Sequence, residues 1–458
     1  MTGRDEHAEL TPEAFRDLVA ERCFGRPRAV ARPGWVGLEV ERFPIRRAGN
    51  GRPAGRVPIE GAASSIEVLE SMAADDLLAP RRDVGGIPAY PVAGGGRVTF
   101  EPGGALEHAT APHPTAAAAL AEVEAVGRRL SERFARAGVA LASVGADPWH
   151  RLDSAPQQLH AFRYPAMHAY LAARSASGPF MMRHTCSLQV NLDLGGAEEW
   201  QHRWLAANLL APLLTATFAA SPDGGAVSAR ARAWQVLDPT RTGFPPGFLA
   251  GDADPIAHMT EAALDADVLL IRTADGARPG RKGWTFRAWL DGRWGQLRPT
   301  EADAAYHLTT LFHEVRPRGM LEFRGIDAVG HQWRSVPVTL LVGAIEDAVA
   351  RDRVVRLLEG HRPALDGWWR RAAQTGVRDA AVCALAVEAW SFALAGAQRL
   401  PAGYLPDGAL ATAEEFLERF TLRGRCPADD LRDRLADGPA SSLAWAAEPV
   451  PETAGARP

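Results

Sequence analysis

Glu39 and Glu41 in "VGLEVERF", Glu101 and Glu107 in "FEPGGALEH", Gln189 in "SLQVNLD" and Glu322 in "MLEFR" each sit in a short strand-like run with apolar neighbours. Side chains of a strand alternate between its two faces with period two. Leu38 and Val40 therefore share one face, and Glu39 and Glu41 the other. Likewise Cys186, Leu188, Val190 and Leu192 oppose Ser187, Gln189, Asn191 and Asp193, and Glu322 and Arg324 point together, away from Leu321 and Phe323. Pro102-Gly103-Gly104 predicts a tight hairpin turn. With that loop, Thr99 faces Glu107 and Phe100 faces Leu106, leaving Glu101 and Glu107 on a common face. Any one of these groups is as well explained by a wetted strand. Their joint occurrence points elsewhere: polar faces aligned in one sheet bring the carboxylates together. Two like charges about 4 Å apart repel by ~1 kcal/mol in water and by ~4 kcal/mol at an effective dielectric near 20. Such a cluster calls for cations, and hard oxygen donors without a Cys or His cluster favour Mg²⁺ or Mn²⁺ over zinc. Magnesium commonly shares its shell with substrate phosphates. Arg316, Arg318 and Arg324, in "HEVRPRGMLEFRGID", bring guanidinium forks suited to phosphate or carboxylate.

Missing motifs narrow the chemistry. No GxxxxGK[ST], GxGxxG, GxSxG or HExxH occurs, so a nucleotide here would be held by metal and arginine rather than by a phosphate loop. A net charge of −4 and a pI near 6.4 argue against nucleic-acid binding. Lys282 is the only lysine, and Cys23, Cys186, Cys383 and Cys426 form no CxxC pair, as expected of reduced thiols in a cytoplasmic protein. Cys186 is expected to be an inert buried thiol. The polar start "MTGRDEHAEL" and the lack of an 18-residue apolar run imply no leader and no membrane span.

The elements that must position these groups can be outlined. The 458 residues are 47% hydrophobic and 23% charged, enough for a sizeable core. A helix starts at Thr11-Pro12, before the strand around 35–43; 48–58 is expected to be a loop, and "SSIEVLESMAADDLL" a helix. The hairpin of "GRVTFEPGGALEHAT" precedes a long helix, "PTAAAALAEVEAVGRRLSERFARAG", and a strand, "VALASVGAD". A strand over 184–193 and a helix over 198–220 follow, then an irregular stretch over 225–256, the strand "DVLLIRT" and the helix "EADAAYHLTTLF". His307, in that helix, is expected to pack locally; His108 and His113 have no assigned partner. Beyond 331 the pattern is helical, at 334–357, 378–398 and 409–420. Strands first and helices last predict an α+β fold. Residues 1–10 and 444–458 are expected to be disordered tails around a catalytic sheet region (11–330) and a helical part of the same unit (331–443).

The ordered segments "VGLEVERF", "FEPGGALEHA", "RYPAMHAYL", "MMRHTCSLQVNLD", "RARAWQVLDPTRTG", "HLTTLFHEVRPRGMLEFRGID" and "RCPADDL" resemble the glutamate–cysteine ligase family. The likeness is to its plant-type and actinobacterial branch, which includes the ligase opening the ergothioneine pathway, and it spans about residues 35 to 437. It implies a glutamine-synthetase-like funnel, a curved antiparallel sheet covered by helices. It also implies the reaction: ATP phosphorylates the γ-carboxylate of glutamate, and the amine of cysteine displaces phosphate. By resemblance Glu39, Glu41, Glu101, Glu107, Gln189 and Glu322 fall at metal-site positions for two or three Mg²⁺ ions, with Mn²⁺ as a substitute. Arg324, facing phosphate, and Glu322 beside it are then the catalytic groups. Arg230, Trp234, Asp238, Arg241, Asn191, Arg316 and Arg318 fall at substrate- or ATP-binding positions. A monomer or homodimer acting on small molecules is implied. His184 and His313 depart from the family pattern, where Arg and Pro are usual, which leaves open an acceptor amine other than cysteine.

Overall fold

The period-two alternation in 36–47 is realised as the central strand of the molecule. A computed structural model describes residues 10–25, 33–71, 77–161, 163–273, 276–295 and 297–450. β1 (Val36–Arg47) is followed by β2 (Pro53–Arg56), β3 (Arg82–Val84), β4 (Ile87–Pro91), β5 (Arg97–Phe100), β6 (Leu106–Ala109), β7 (Val139–Ala142), β8 (Leu188–Asp193), β9 (Val315–Pro317) and β10 (Met320–Phe323). They form one 10-stranded sheet in the order β9-β10-β8-β1-β6-β5-β4-β3, with β2 and β7 both paired to β1. All of its pairings are antiparallel. β1 changes partners midway: Val36–Arg42 lies between β8 and β6, and Phe43–Arg47 between β7 and β2.

Helices cover the apolar face, which carries Leu38, Val40, Leu106, Leu188, Val190, Leu321 and Phe323, all buried. The first, α1 (Pro12–Val19), is capped by Thr11, whose hydroxyl accepts from the amide of Ala14. α2 (Ala116–Arg136) starts at an N-cap Thr115 and buries Ala119, Val123, Val126, Leu130 and Phe134, spaced as one helical stripe; it packs on β1 and β7. Next come α3 (Arg163–Arg174), α4 (Ser177–His184), α5 (Trp200–Thr217) and α6 (Ala229–Leu237). α5 is buried on nearly every side and packs against β9 and β10. The helical half contains α7 (Ser335–Glu346), α8 (Ala348–Leu358), α9 (Ala380–Gln398) and α10 (Ala409–Arg419). α9 is long and apolar enough, by length and composition, to cross a membrane; here it packs against α7, α8 and α10.

Several expectations are corrected. Residues 184–187 precede the strand, because α4 runs to His184 and regular pairing starts at Leu188. The stretch 225–256 holds α6, whose N-cap Ser228 accepts from the amide of Ala231. The loop at 48–58 contains β2, recruited by pairing to β1. Residues 444–450 belong to the fold: a helix continues to Ala446, and Glu448 is buried. Residues 1–9, 451–458 and part of "SMAADD" lie outside the described residues.

Candidate active site

The hairpin adopts the expected register, Thr99 opposite Glu107 and Phe100 opposite Leu106. The amide of Glu101 donates to the Ala105 carbonyl at 2.8 Å, closing the turn. Glycine is required there: Gly104 has φ +89°, and a Cβ on Gly103 would sit 2.1 Å from the Arg183 carbonyl oxygen. Across β6, Glu107 pairs with Glu41 of β1, and Glu39 pairs with Gln189 of β8. One further row along, Glu322 lies opposite both Asn191 and Arg316. Directly opposed residues share a face, so the sheet register gathers these side chains on the side away from the core.

Glu39, Glu41, Glu101, Glu107, Gln189 and Arg316 line a cleft of about 530 Å³ with two electrostatic ends, and Glu322 lies behind its wall, bonded to Arg316. At one end, oxygens of Glu41, Glu101 and Glu107 lie within 4.8 Å of one another. Glu41 accepts from the Ser187 amide at 2.8 Å and the Ser187 hydroxyl at 2.6 Å, and Glu107 accepts from the Thr99 hydroxyl at 3.0 Å. Among the described residues none of the three has an ion-pair partner. Burial, and then the Glu107 charge, push the carboxyls of Glu41 and Glu101 upward. Glu39, beside them, is pushed up to about 8 by burial, Glu107 and Glu322. Three hard oxygen donors that repel one another without a bonded counter-charge fit a divalent cation of the Mg²⁺ type.

The other end is already neutralised. Arg316 grips Glu322 through Nε and Nη2, both at 2.6 Å. Arg324 donates from Nη1 to Glu322 at 2.9 Å and to the Gln189 side-chain oxygen at 3.0 Å. Burial alone would raise the Glu322 carboxyl, but Arg316 and then Arg324 hold it down at about 2. Glu322 thus stands apart from the carboxylate triad, an anchor for two arginines. The Arg324 guanidinium also lies over Trp234, 5.2 Å from the ring centroid, a cation–π contact. Arg230, one helical turn before Trp234 on α6, donates to the Arg324 carbonyl at 2.8 Å.

Arg230, Trp234, Arg316, Arg318 and Arg324 line the cleft; Asn191, Asp238 and Arg241 do not. Asn191 is buried beside Glu322. Asp238 accepts from Arg241 at 2.8 Å, Arg174 at 2.7 Å and Tyr170 at 2.8 Å, and Arg241 donates on to the carbonyls of Thr310 and Asp267. Both are fully buried scaffold, joining segments behind the cleft. His184 bonds the Asp147 carbonyl and His313 is buried, neither of them lining the cleft. His307 bonds the Ala263 carbonyl at 2.8 Å, and Cys186 is buried. His108 and His113 share one carboxylate, Glu122, at 3.1 and 2.6 Å.

Sequence reasoning missed Arg163, Met167, Met181, Tyr306 and Phe312, which also line the cleft. Arg163 makes no hydrogen bond or ion pair among the described residues, and Arg318, half exposed, reaches Glu322 only at 4.0 Å. The available signal was their place in the family segments: Arg163 and Met167 in "RYPAMHAYL", Met181 in "MMRHTCSLQVNLD" and Phe312 in "HLTTLFHEVRPRGMLEFRGID".

Residues 35–446 match a family model described as glutamate-cysteine ligase family 2. The chain is 36% identical over 395 residues to the glutamate–cysteine ligase EgtA of Mycolicibacterium smegmatis, covering 84% of this chain and 88% of that one. It is 30% identical over 363 residues to the chloroplastic glutamate–cysteine ligase of Medicago truncatula, covering 76% and 66%. A crystal structure of glutamate–cysteine ligase from Francisella tularensis in complex with AMP superposes with a TM-score of 0.50 at 12% identity, covering 92% of this chain and 89% of the other. That likeness extends to the fold.

Proposed function

The chain belongs to glutamate-cysteine ligase family 2, and from that premise we propose how its cleft makes γ-glutamylcysteine from ATP, glutamate and cysteine. A γ-carboxylate oxygen of glutamate bonds to the terminal phosphorus of ATP as the bond to ADP breaks. The cysteine amine then bonds to the acyl carbon of γ-glutamyl phosphate; phosphate leaves and the amine gives up a proton. No protein nucleophile is needed, because glutamate itself becomes the acyl donor.

The observation that carries this reading is the division of one cleft into an uncompensated carboxylate triad and an arginine wall. Glu41, Glu101 and Glu107 would hold Mg²⁺, with Glu39 and Gln189 as donors for a further ion, and the bound charge would screen anionic phosphate and carboxylate from each other. The protein's own groups do the positioning. Arg318 and Arg163, which face the cleft with no side-chain hydrogen bond to the protein among the described residues, take substrate oxyanions through their forks. Arg316 and Arg324, pinned by Glu322, present fixed positive charge to the transferring phosphoryl group. Holding the reactants in line contributes up to ~7–11 kcal/mol.

Phosphate release with ATP, Mg²⁺ and glutamate, with and without cysteine, tests the reading. Cysteine-dependent release is expected. Turnover with other amines but not cysteine would reassign the acceptor, and no turnover with any amine would remove the enzymatic reading.

A further inference from the structure

One transverse row of the sheet carries a guanidinium at each end. Arg97 of β5 lies opposite Ala109 of β6, Ala109 opposite Glu39 of β1, and Glu39 opposite Gln189 of β8. The Gln189 side-chain oxygen accepts from Arg324 at 3.0 Å, which completes the row. Directly opposed residues share a face. Thr99, two residues after Arg97 on β5, donates to Glu107 at 3.0 Å, so Arg97 leaves the face that carries the carboxylates. Four strand spacings separate the two ends, roughly 19 Å between backbones. The ends differ in their engagement. Arg324 is bonded to Glu322, whereas Arg97 is exposed, lines the cleft, and has no side-chain hydrogen bond or ion pair among the described residues. Ala109, its neighbour in the row, presents only a methyl group, so nothing from β6 there keeps the guanidinium from the middle of the cleft.

We propose that Arg97 binds the α-carboxylate of the acceptor, which makes the acceptor an α-amino acid rather than a simple amine. This rests on the ligase reading above and adds a residue to it. Arg316, Arg318 and Arg324 stand together on β9, β10 and the residues joined to them, three charges on one side for the multiply charged phosphates of ATP. Glu41 and Glu107, on β1 and β6, come between that side and β5 in the strand order. Beyond them the sheet offers one free guanidinium, and one planar fork matches one carboxylate. The acceptor takes no part in phosphoryl transfer; it meets an acyl phosphate already formed and must reach it from the open side of the cleft. An exposed arginine across the carboxylates from the phosphate wall is placed to hold it there, with its amine turned inward.

Steady-state kinetics of the full-length protein and of Arg97→Met test this. In the variant the KM for cysteine should rise about tenfold or more, while the KM values for ATP and glutamate stay within about twofold (tenfold is ~1.4 kcal/mol). Arg97→Lys, which keeps the charge and loses the fork, should fall between the two. Cysteamine has the same amine and thiol but no carboxylate, so as acceptor or as competitor of cysteine it should distinguish wild type from Arg97→Met far less than cysteine does. An unchanged KM for cysteine, an equal rise in the KM for ATP or glutamate, or an equal loss with cysteamine would overturn the proposal. Those outcomes strike Arg97 alone, since wild type still turns over cysteine. A wild type inactive with every amine would instead strike the ligase reading itself. Should a different amino acid prove to be the acceptor, the same comparison holds for it and its decarboxylated amine; a preferred acceptor without a carboxylate would overturn the proposal.

Discussion

Glu101 lines the cleft and Glu322 is buried behind its wall, and their surroundings give them opposite roles in stability. Glu101 sits among carboxylates and is pushed upward by burial and Glu107; Glu322 sits between two guanidiniums and is held at about 2. Glu101→Gln should therefore stabilise the metal-free protein, by ~1 kcal/mol or more, the repulsion of one pair in water at about 4 Å. Thermal melts should show this gain, together with loss of both turnover and the Mg²⁺-induced rise in melting temperature expected of wild type. Glu322→Gln should instead destabilise by ~3–5 kcal/mol, because it strands Arg316 and Arg324 in a buried site. On sequence alone both look like metal ligands on the polar faces of strands. If both variants melted alike without metal, the division of the cleft into two ends would be wrong. Arg316→Lys, which keeps the charge but loses the two-pronged grip, should lower turnover and stability together in the same assays.

The hairpin between β5 and β6 shows how much an element can carry. Its Pro-Gly-Gly turn and alternation predicted the register, and both arise from neighbours in sequence. Its two glycines answer to distant partners, the Arg183 carbonyl and the Gln158 side chain, 2.1 and 2.6 Å from the added Cβ atoms. Gly103→Ala should displace the turn, move Glu101 out of the triad and cost ~1–3 kcal/mol, the usual range for overpacking. A raised Mg²⁺ requirement in the phosphate-release assay, alongside a lower melting temperature, is the expected pair of readouts. α6 makes the converse point. Arg230 and Trp234 are four residues apart, a spacing that puts both on one helix face, but "ARARAWQVL" carries no clear apolar stripe. The helix is defined by its Ser228 cap and by packing against α4 and the Leu365–Thr375 helix.

Across the whole molecule, the C-terminal segment closes over the rear of the sheet. Glu448 is more than three hundred residues from Ser143 and its amide donates to Leu141 at 2.8 Å. Burial would raise its carboxyl, but Arg334 and Arg42 depress it far below the ordinary 4.5. The sign follows from linkage: the folded state holds the carboxylate more strongly than the unfolded chain does, so the stabilisation is present above about pH 4.5 and fades as pH falls toward the depressed value. Urea unfolding should show wild type losing stability below about pH 4.5. Glu448→Gln, already weakened by ~3–5 kcal/mol at neutral pH through two stranded guanidiniums, should show a flatter acid slope.

Period-two alternation in four short runs was enough to identify the polar face and the glutamates and glutamine on it, because side-chain direction along a strand is a local property of the backbone. The ordered motifs carried the family, since they record residue types and their sequence rather than distances. Which carboxylates would be left without counter-charge was decided only by tertiary structure. The pairing of β10 with β9 gave Glu322 to Arg316, and the pairing of β1 with β6 put Glu41 against Glu107. Packing, too, drew Asp238 and Arg241 into a buried scaffold and folded 444–450 onto the sheet. Coulomb energy depends on separation and burial, and those are set by contacts between residues far apart in the chain.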